Sequence, residues 1–185
     1  MQLTSGEHSF GPRQGTLTVR TGRQGAAARM GHDLTLEARD WSATVVVDAA
    51  DITRSSLEAS IDAGSLEVVD ASGGALGLSD SQRAEIVQTI RTKVLAVDRH
   101  PHITFRSTGI TGDERAATVT GQLTVAGKTR VAKVTMAVNA AGTSITGTAS
   151  IVQTRFGIKP YSAMLGALRV KDEVLVEVTV RLSRT

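Results

Sequence analysis

The residues of this chain best equipped for chemistry are four histidines, His8, His32, His100 and His102, and a scatter of serines and threonines. His100-Pro101-His102 sets two imidazoles two residues apart, a spacing that puts both on one face of a strand and could begin a metal site. Such a site needs further ligands. Asp98 is near in sequence, but Pro101 disrupts the local regularity and no third ligand is evident. With no cysteine in the chain, disulfides, thiolate nucleophiles and cysteine-based zinc sites are excluded. His32 and Asp33 do not make a dyad, because neighbours on a strand point to opposite faces. Ser107, Thr124 and Ser150 lie in strand-like segments without a nucleophile elbow, so hydrolysis lacks its geometric cue. Gly73-Gly74-Ala75-Leu76-Gly77 precedes a helix start, as a phosphate cradle does, yet no Lys-Ser or Lys-Thr pair follows and no βαβ unit surrounds it. The expectation is a protein that is not an enzyme, with no catalytic residue, metal or cofactor.

The elements around these residues are strands. From His100 to Val138 the chain spells an antiparallel meander: Ile103 and Phe105, then Val119, Leu123 and Val125, then Val134, Met136 and Val138 alternate with polar neighbours. Thr111-Gly112-Asp113 and Ala126-Gly127-Lys128 supply the reversals between them. Thr16 to Arg20, Trp41 to Ala49, Ser55 to Ile61 and Leu66 to Val69 continue the pattern. Within Ala26 to Glu37, His32, Leu34 and Leu36 share one face. Ser144 to Thr154 and Glu173 to Leu182 follow the meander, the last with Val174, Val176, Val178, Val180 and Leu182 on a single face. One segment breaks the period. In SDSQRAEIVQTIRTKVL, Ser79 and Gln82 match a capping box, and Ile86, Val87, Ile90 and Val94 fall at helical spacing, which predicts one amphipathic helix packed on the sheet. Nine or ten strands and one helix, with no second compositional block, predict a mainly β fold: a single closed or nearly closed antiparallel barrel over residues 15–185 behind an irregular lead over residues 1–14.

The chain has 185 residues, 41% of them hydrophobic but only 3% aromatic, so its interior is aliphatic and lacks stacking surfaces. The net charge is +3, with arginines scattered along the chain and concentrated in the first forty residues. No aromatic platform accompanies them, so nucleic acid is not an expected partner, while transient contact with an anionic membrane surface stays open. A homodimer also stays open. The start, MQLTSGEHSFGPRQG, shows no basic segment followed by an apolar one, and a cytoplasmic location is expected.

A barrel of this size is either filled by its own side chains or hollow. Gly121 lies between Val119 and Leu123, and Gly147 and Ala149 lie between Ile145 and Ile151, where they leave space that bulky residues would occupy. Small residues also relieve bends in a filled barrel, so the pattern leaves both interiors open.

The meander's wording, Pro101-x-Ile103-Thr104-Phe105-x-Ser107 followed by Gly121, Leu123, Thr124, Gly127 and Thr129, resembles the YceI-like family of lipid-binding barrel proteins. His32 within Arg-Met-Gly-His-Asp-Leu, the helix ending in Lys93-Val94-Leu95, and Arg155-Phe156-Gly157-Ile158 are similar to the family's other signatures, the last with one spacer residue fewer. The resemblance implies a lipocalin-like antiparallel barrel that binds, carries or stores an elongated apolar lipid, a polyisoprenoid or isoprenoid quinone, without covalent chemistry. The lipid-contacting set it implies here is His32, Leu34, Phe105, Leu123, Val125, Met136, Ile151, Val176 and Val178, with Phe156 and Tyr161 from the late loop. His32 either orients a polar head at the channel mouth or is held by backbone. Phe156 is read as a plug and Tyr161 as a cover. The competing reading is a filled barrel serving as a non-enzymatic stress-response or protein-interaction module.

Overall fold

Segments whose apolar residues repeat every second position become strands, since a strand that buries one face must show that period. The computed structural model describes residues 4–74 and 76–182. Residues 1–3 of the expected lead, Ala75 of the glycine-rich segment and residues 183–185 at the end of the expected domain lie outside the described residues. The order is β1 (Gly6–Phe10), β2 (Gly15–Thr21), β3 (Arg23–Gln24), β4 (Asp33–Ala38), β5 (Trp41–Val47), β6 (Ser56–Asp62), β7 (Leu66–Ser72) and α1 (Asp80–Thr89). After the helix come β8 (His102–Gly112), β9 (Ala116–Val125), β10 (Lys128–Val138), β11 (Ser144–Val152), β12 (Ser162–Ala163), β13 (Leu168–Val170) and β14 (Glu173–Arg181).

Eleven strands form one antiparallel sheet in the order β1-β5-β6-β8-β9-β10-β11-β14-β2-β4-β7. Side chains from nearly every one of them line a common interior, so the sheet is strongly curled into a half-barrel. The fold is mainly β with one helix, as the sequence predicts, but one expectation needs correction. The lead is not irregular throughout, because Gly6–Phe10 pairs along β5 from Gly6↔Val47 to Phe10↔Ala43. Of the closed and nearly closed forms that the sequence allows, the sheet takes the second, with β1 and β7 as its two edges.

Closure comes from a corner. The chain crosses from β4 to β5 and again from β6 to β7, each time passing from one flank of the sheet to the other. Backbone bonds tie the two crossings together: Arg39 N–H donates to Ser65 O at 3.2 Å and Asp62 N–H to Asp40 O at 3.0 Å. Ala38, Trp41, Ala63, Leu66 and Leu95 are buried around this corner. The helix covers the β7 edge, where Arg83 Nη1 donates to Val68 O at 3.3 Å, which protects unpaired edge carbonyls.

The capping box forms as the sequence predicts: Gln82 N–H donates to Ser79 Oγ at 3.2 Å and Ser79 N–H to Gln82 Oε1 at 2.9 Å. Beyond Thr89 the helix widens into a π turn over Ile90–Val94, in which Leu95 N–H reaches Ile90 O at 2.9 Å. Ile86, Ile90 and Val94 face the interior, whereas Val87, expected to share that face, is half-buried but does not line it. A second sheet of three short strands, β12-β13-β3, joins the late loop to the start of the chain.

Candidate functional site

The register sets the inner wall. One row runs Met136, Gly147, Val178, Leu17 across β10, β11, β14 and β2, and the next runs Ala149, Val176, Val19, Leu36 from β11 to β4. Side chains in a row stand on one face, and here that face is concave and almost purely aliphatic. It encloses a cavity of about 740 Å3, within the range of pockets that take small-molecule ligands. Of the two interiors that the sequence leaves open, this chain has the hollow one.

The small residues divide their roles. Gly147 and Ala149 line the cavity. Gly121 does not leave the space expected of it, because the Phe105 ring fills that space: a Cβ on Gly121 would sit 2.4 Å from Phe105 Cζ.

The structure brings all eleven sequence-nominated residues to one cavity. Leu34 reaches it from β4, Phe105 from β8, Leu123 and Val125 from β9, Met136 from β10, Ile151 from β11, and Val176 and Val178 from β14. Phe156 is buried against the core, and Tyr161 is half exposed at the opening. His32 also lines the cavity, with Nε2 2.8 Å from Leu76 O. A carbonyl can only accept, so Nε2 carries the hydrogen of this bond. Backbone fixes its ring, and the ring sits on the cavity wall.

Sequence reasoning missed the polar opening. Thr21, Arg23, Gln82, Glu85, Thr89, Gln153 and Arg169 line the cavity alongside His32 and Tyr161. Arg23 is locked in place by Nη1 donating to Gly31 O at 2.8 Å and to Ser72 O at 2.9 Å. Its placement depends on β3, two residues long, which pairs with β13 and carries no periodic signal. Trp41, the sole tryptophan, is buried against the cavity near the corner.

The other chemistry-bearing residues stay apart. Ser107 Oγ accepts from Leu57 N–H at 2.9 Å, Thr124 and Thr129 pair their hydroxyls at 2.8 Å, and Ser150 bonds Glu173. His102 is exposed on β8, and His100 lies against Gly127. Among the described residues, no three histidine or carboxylate side chains converge as metal ligands. The geometry supplies an apolar container with a polar mouth.

Solved structures share this architecture. BcnA of Burkholderia cenocepacia superposes with a TM-score of 0.66 at 20% identity, covering 90% of this chain and 96% of that one. A Campylobacter jejuni YceI protein gives 0.57 at 16% identity, over 81% of this chain and 84% of that one. A polyisoprenoid-binding domain from Saccharophagus degradans, implicated in plant cell wall breakdown, gives 0.56 at 10% identity, over 96% and 98%. No curated protein matches the sequence significantly. The family model of the YceI-like domain matches residues 13–182, and the chain therefore belongs to the YceI-like family.

Proposed function

We propose that this protein binds and carries an elongated apolar lipid, a polyisoprenoid or isoprenoid quinone, in the cavity, and that it performs no covalent chemistry. The observation that carries the reading is a cavity of about 740 Å3 walled by aliphatic strand residues and polar only at its mouth. Burial of apolar ligand surface there is worth about 25 cal/mol per Å2, and the polar mouth orients a head group. Family membership and the shared fold of a polyisoprenoid-binding domain support the choice of ligand class.

Trp41 supplies the test, because it is the sole tryptophan and sits on the cavity wall. Titration with decylubiquinone, a quinone that quenches indole fluorescence on contact, is expected to saturate at one quinone per chain. Native mass spectrometry of gently purified protein, followed by organic extraction, is expected to recover an isoprenoid. An absence of both quenching and extractable lipid removes the proposal.

A further inference from the structure

On the convex face of the main sheet, exposed apolar side chains such as Val46, Val69 and Val131 occur singly on different strands. Around the cavity mouth they crowd. Met30, Tyr161, Met164, Leu165 and Leu76 all stand exposed there. The small sheet holds the first four together: Val170 N–H donates to Tyr161 O, and Ala27 N–H to Ala167 O, each at 2.9 Å. Leu76 is fixed beside the opening by its carbonyl bond to His32. At the tip of the β12–β13 hairpin, Met164 and Leu165 both adopt left-handed backbone, with φ of 51° and 54°. Long L side chains rarely adopt this conformation, and here it lifts Leu165 fully into solvent.

Charge follows the same rim. Residues 20–32 contain Arg20, Arg23 and Arg29, and residues 155–171 contain Arg155, Lys159, Arg169 and Lys171, with no Asp or Glu in either segment. Among the described residues, Arg29, Arg155, Lys159, Arg169 and Lys171 make no ion pair. The carboxylates bordering these segments are turned into local bonds, Asp33 accepting from Arg23 N–H and Asp172 from Thr154, and they offset only part of the positive charge. Asp80 and Glu85 lie on the helix side, so the basic surface is the small-sheet side.

We propose that this rim docks on a bilayer containing anionic phospholipid, with the Met164–Leu165 tip entering the acyl boundary and the surrounding cations meeting the head groups. An apolar tip ringed by unpaired cations matches a membrane surface, which offers an apolar phase beneath a negatively charged plane. The role of the docking rests on the carriage reading: an apolar chain sliding from bilayer to cavity through a lipid-seated mouth never exposes its surface to water.

Two variants test it, Met164→Asp with Leu165→Asp, and Arg29→Glu with Lys159→Glu. None of the four side chains lines the cavity. Cosedimentation is measured with vesicles of phosphatidylcholine and phosphatidylglycerol at seven to three, and with phosphatidylcholine alone. The parent is expected to bind the anionic vesicles at least about tenfold more tightly than the neutral ones, and each variant to lose at least about tenfold on the anionic vesicles. Circular dichroism and Trp41 quenching by decylubiquinone without vesicles should match the parent in both variants. Equal vesicle binding by parent and variants overturns docking, whatever the quenching shows. A parent dimer that Met164→Asp with Leu165→Asp dissociates overturns it too, by assigning the rim to a second copy. Vesicle binding that behaves as expected while quenching fails removes the carriage reading and leaves the docking surface.

Discussion

Met136→Trp separates a hollow interior from a filled one. Met136 lies opposite Ala117 on one side and Gly147 on the other, and its sulfur occupies the room that glycine leaves: a Cβ on Gly147 would come within 2.7 Å of Sδ. Beyond it is the open cavity of about 740 Å3. Tryptophan adds about six side-chain atoms beyond those of methionine. In a dense core that excess forces strain worth about 1–3 kcal/mol. Here the ring extends into empty space, so the unfolding free energy should change by less than about 1 kcal/mol. The cost falls on the ligand. With half the added atoms displacing ligand carbons at about 0.8 kcal/mol each, binding weakens by about 2.4 kcal/mol, roughly fiftyfold in Kd. Urea denaturation and quinone or polyprenol titration on the same two proteins read both quantities. A variant destabilised by the full overpacking cost, with unaltered affinity, refutes the reasoning.

Three other substitutions probe what holds the container together. Gly121→Ala should cost about 1–3 kcal/mol in thermal or urea melts, because its Cβ would meet Phe105 Cζ at 2.4 Å and the Arg106 carbonyl oxygen at 2.5 Å, and the backbone atom has nowhere to go. Ser79→Ala removes the helix cap and should cost about 1 kcal/mol, with Ser79→Asp restoring most of it. Backbone N–H groups of Ala116 and Arg115 hold the Asp113 carboxyl below the usual carboxylate range. That stabilisation is present above the unfolded carboxylate pKa of about 3.9 and is lost as pH falls through the lower folded value, so Asp113→Asn should destabilise at neutral pH and converge on the parent in acid. A constant difference down to pH 2 would count against the turn's role.

The wall of the container was legible because it is repetitive. Val174, Val176, Val178 and Val180 alternate without interruption, and one residue of slip would turn all four outward. The helix was legible from Ser79, Gln82 and the apolar spacing that follows them. Its π turn was not, since that depends on fitting Val94 and Leu95 beneath the corner. β1 escaped notice because GEHSF has only one large apolar residue and gains its place through backbone pairing with β5. The polar mouth was illegible for a related reason: β3, β12 and β13 are two or three residues long, too short to show any period. Gly121 was misread because its composition is the same whether an aromatic ring or nothing stands opposite. Only the β8–β9 register, which sets Phe105 beside Leu123 and turns its ring over Gly121, decides between them.

That distinction explains how a curled sheet of this kind stays open. A hollow interior forgoes dispersion contacts, so stability has to come from elsewhere. Here it sits in two places flanking the void. Trp41, Ala63, Leu66 and Leu95 pack the corner where the flanks meet, and Phe105, Ile110 and Val119 form a second cluster on the opposite flank. Between them the rows through Gly147 and Ala149 carry too little bulk to close the gap, and the backbone bonds of the corner keep the flanks from collapsing onto each other. Stability and capacity therefore overlap at the corner, where Trp41, Leu66 and Leu95 both pack the core and line the cavity, and part at Gly147 and Ala149. Truncating Leu66 should destabilise the protein and enlarge the cavity together, whereas enlarging Ala149 should shrink the cavity before it affects the fold.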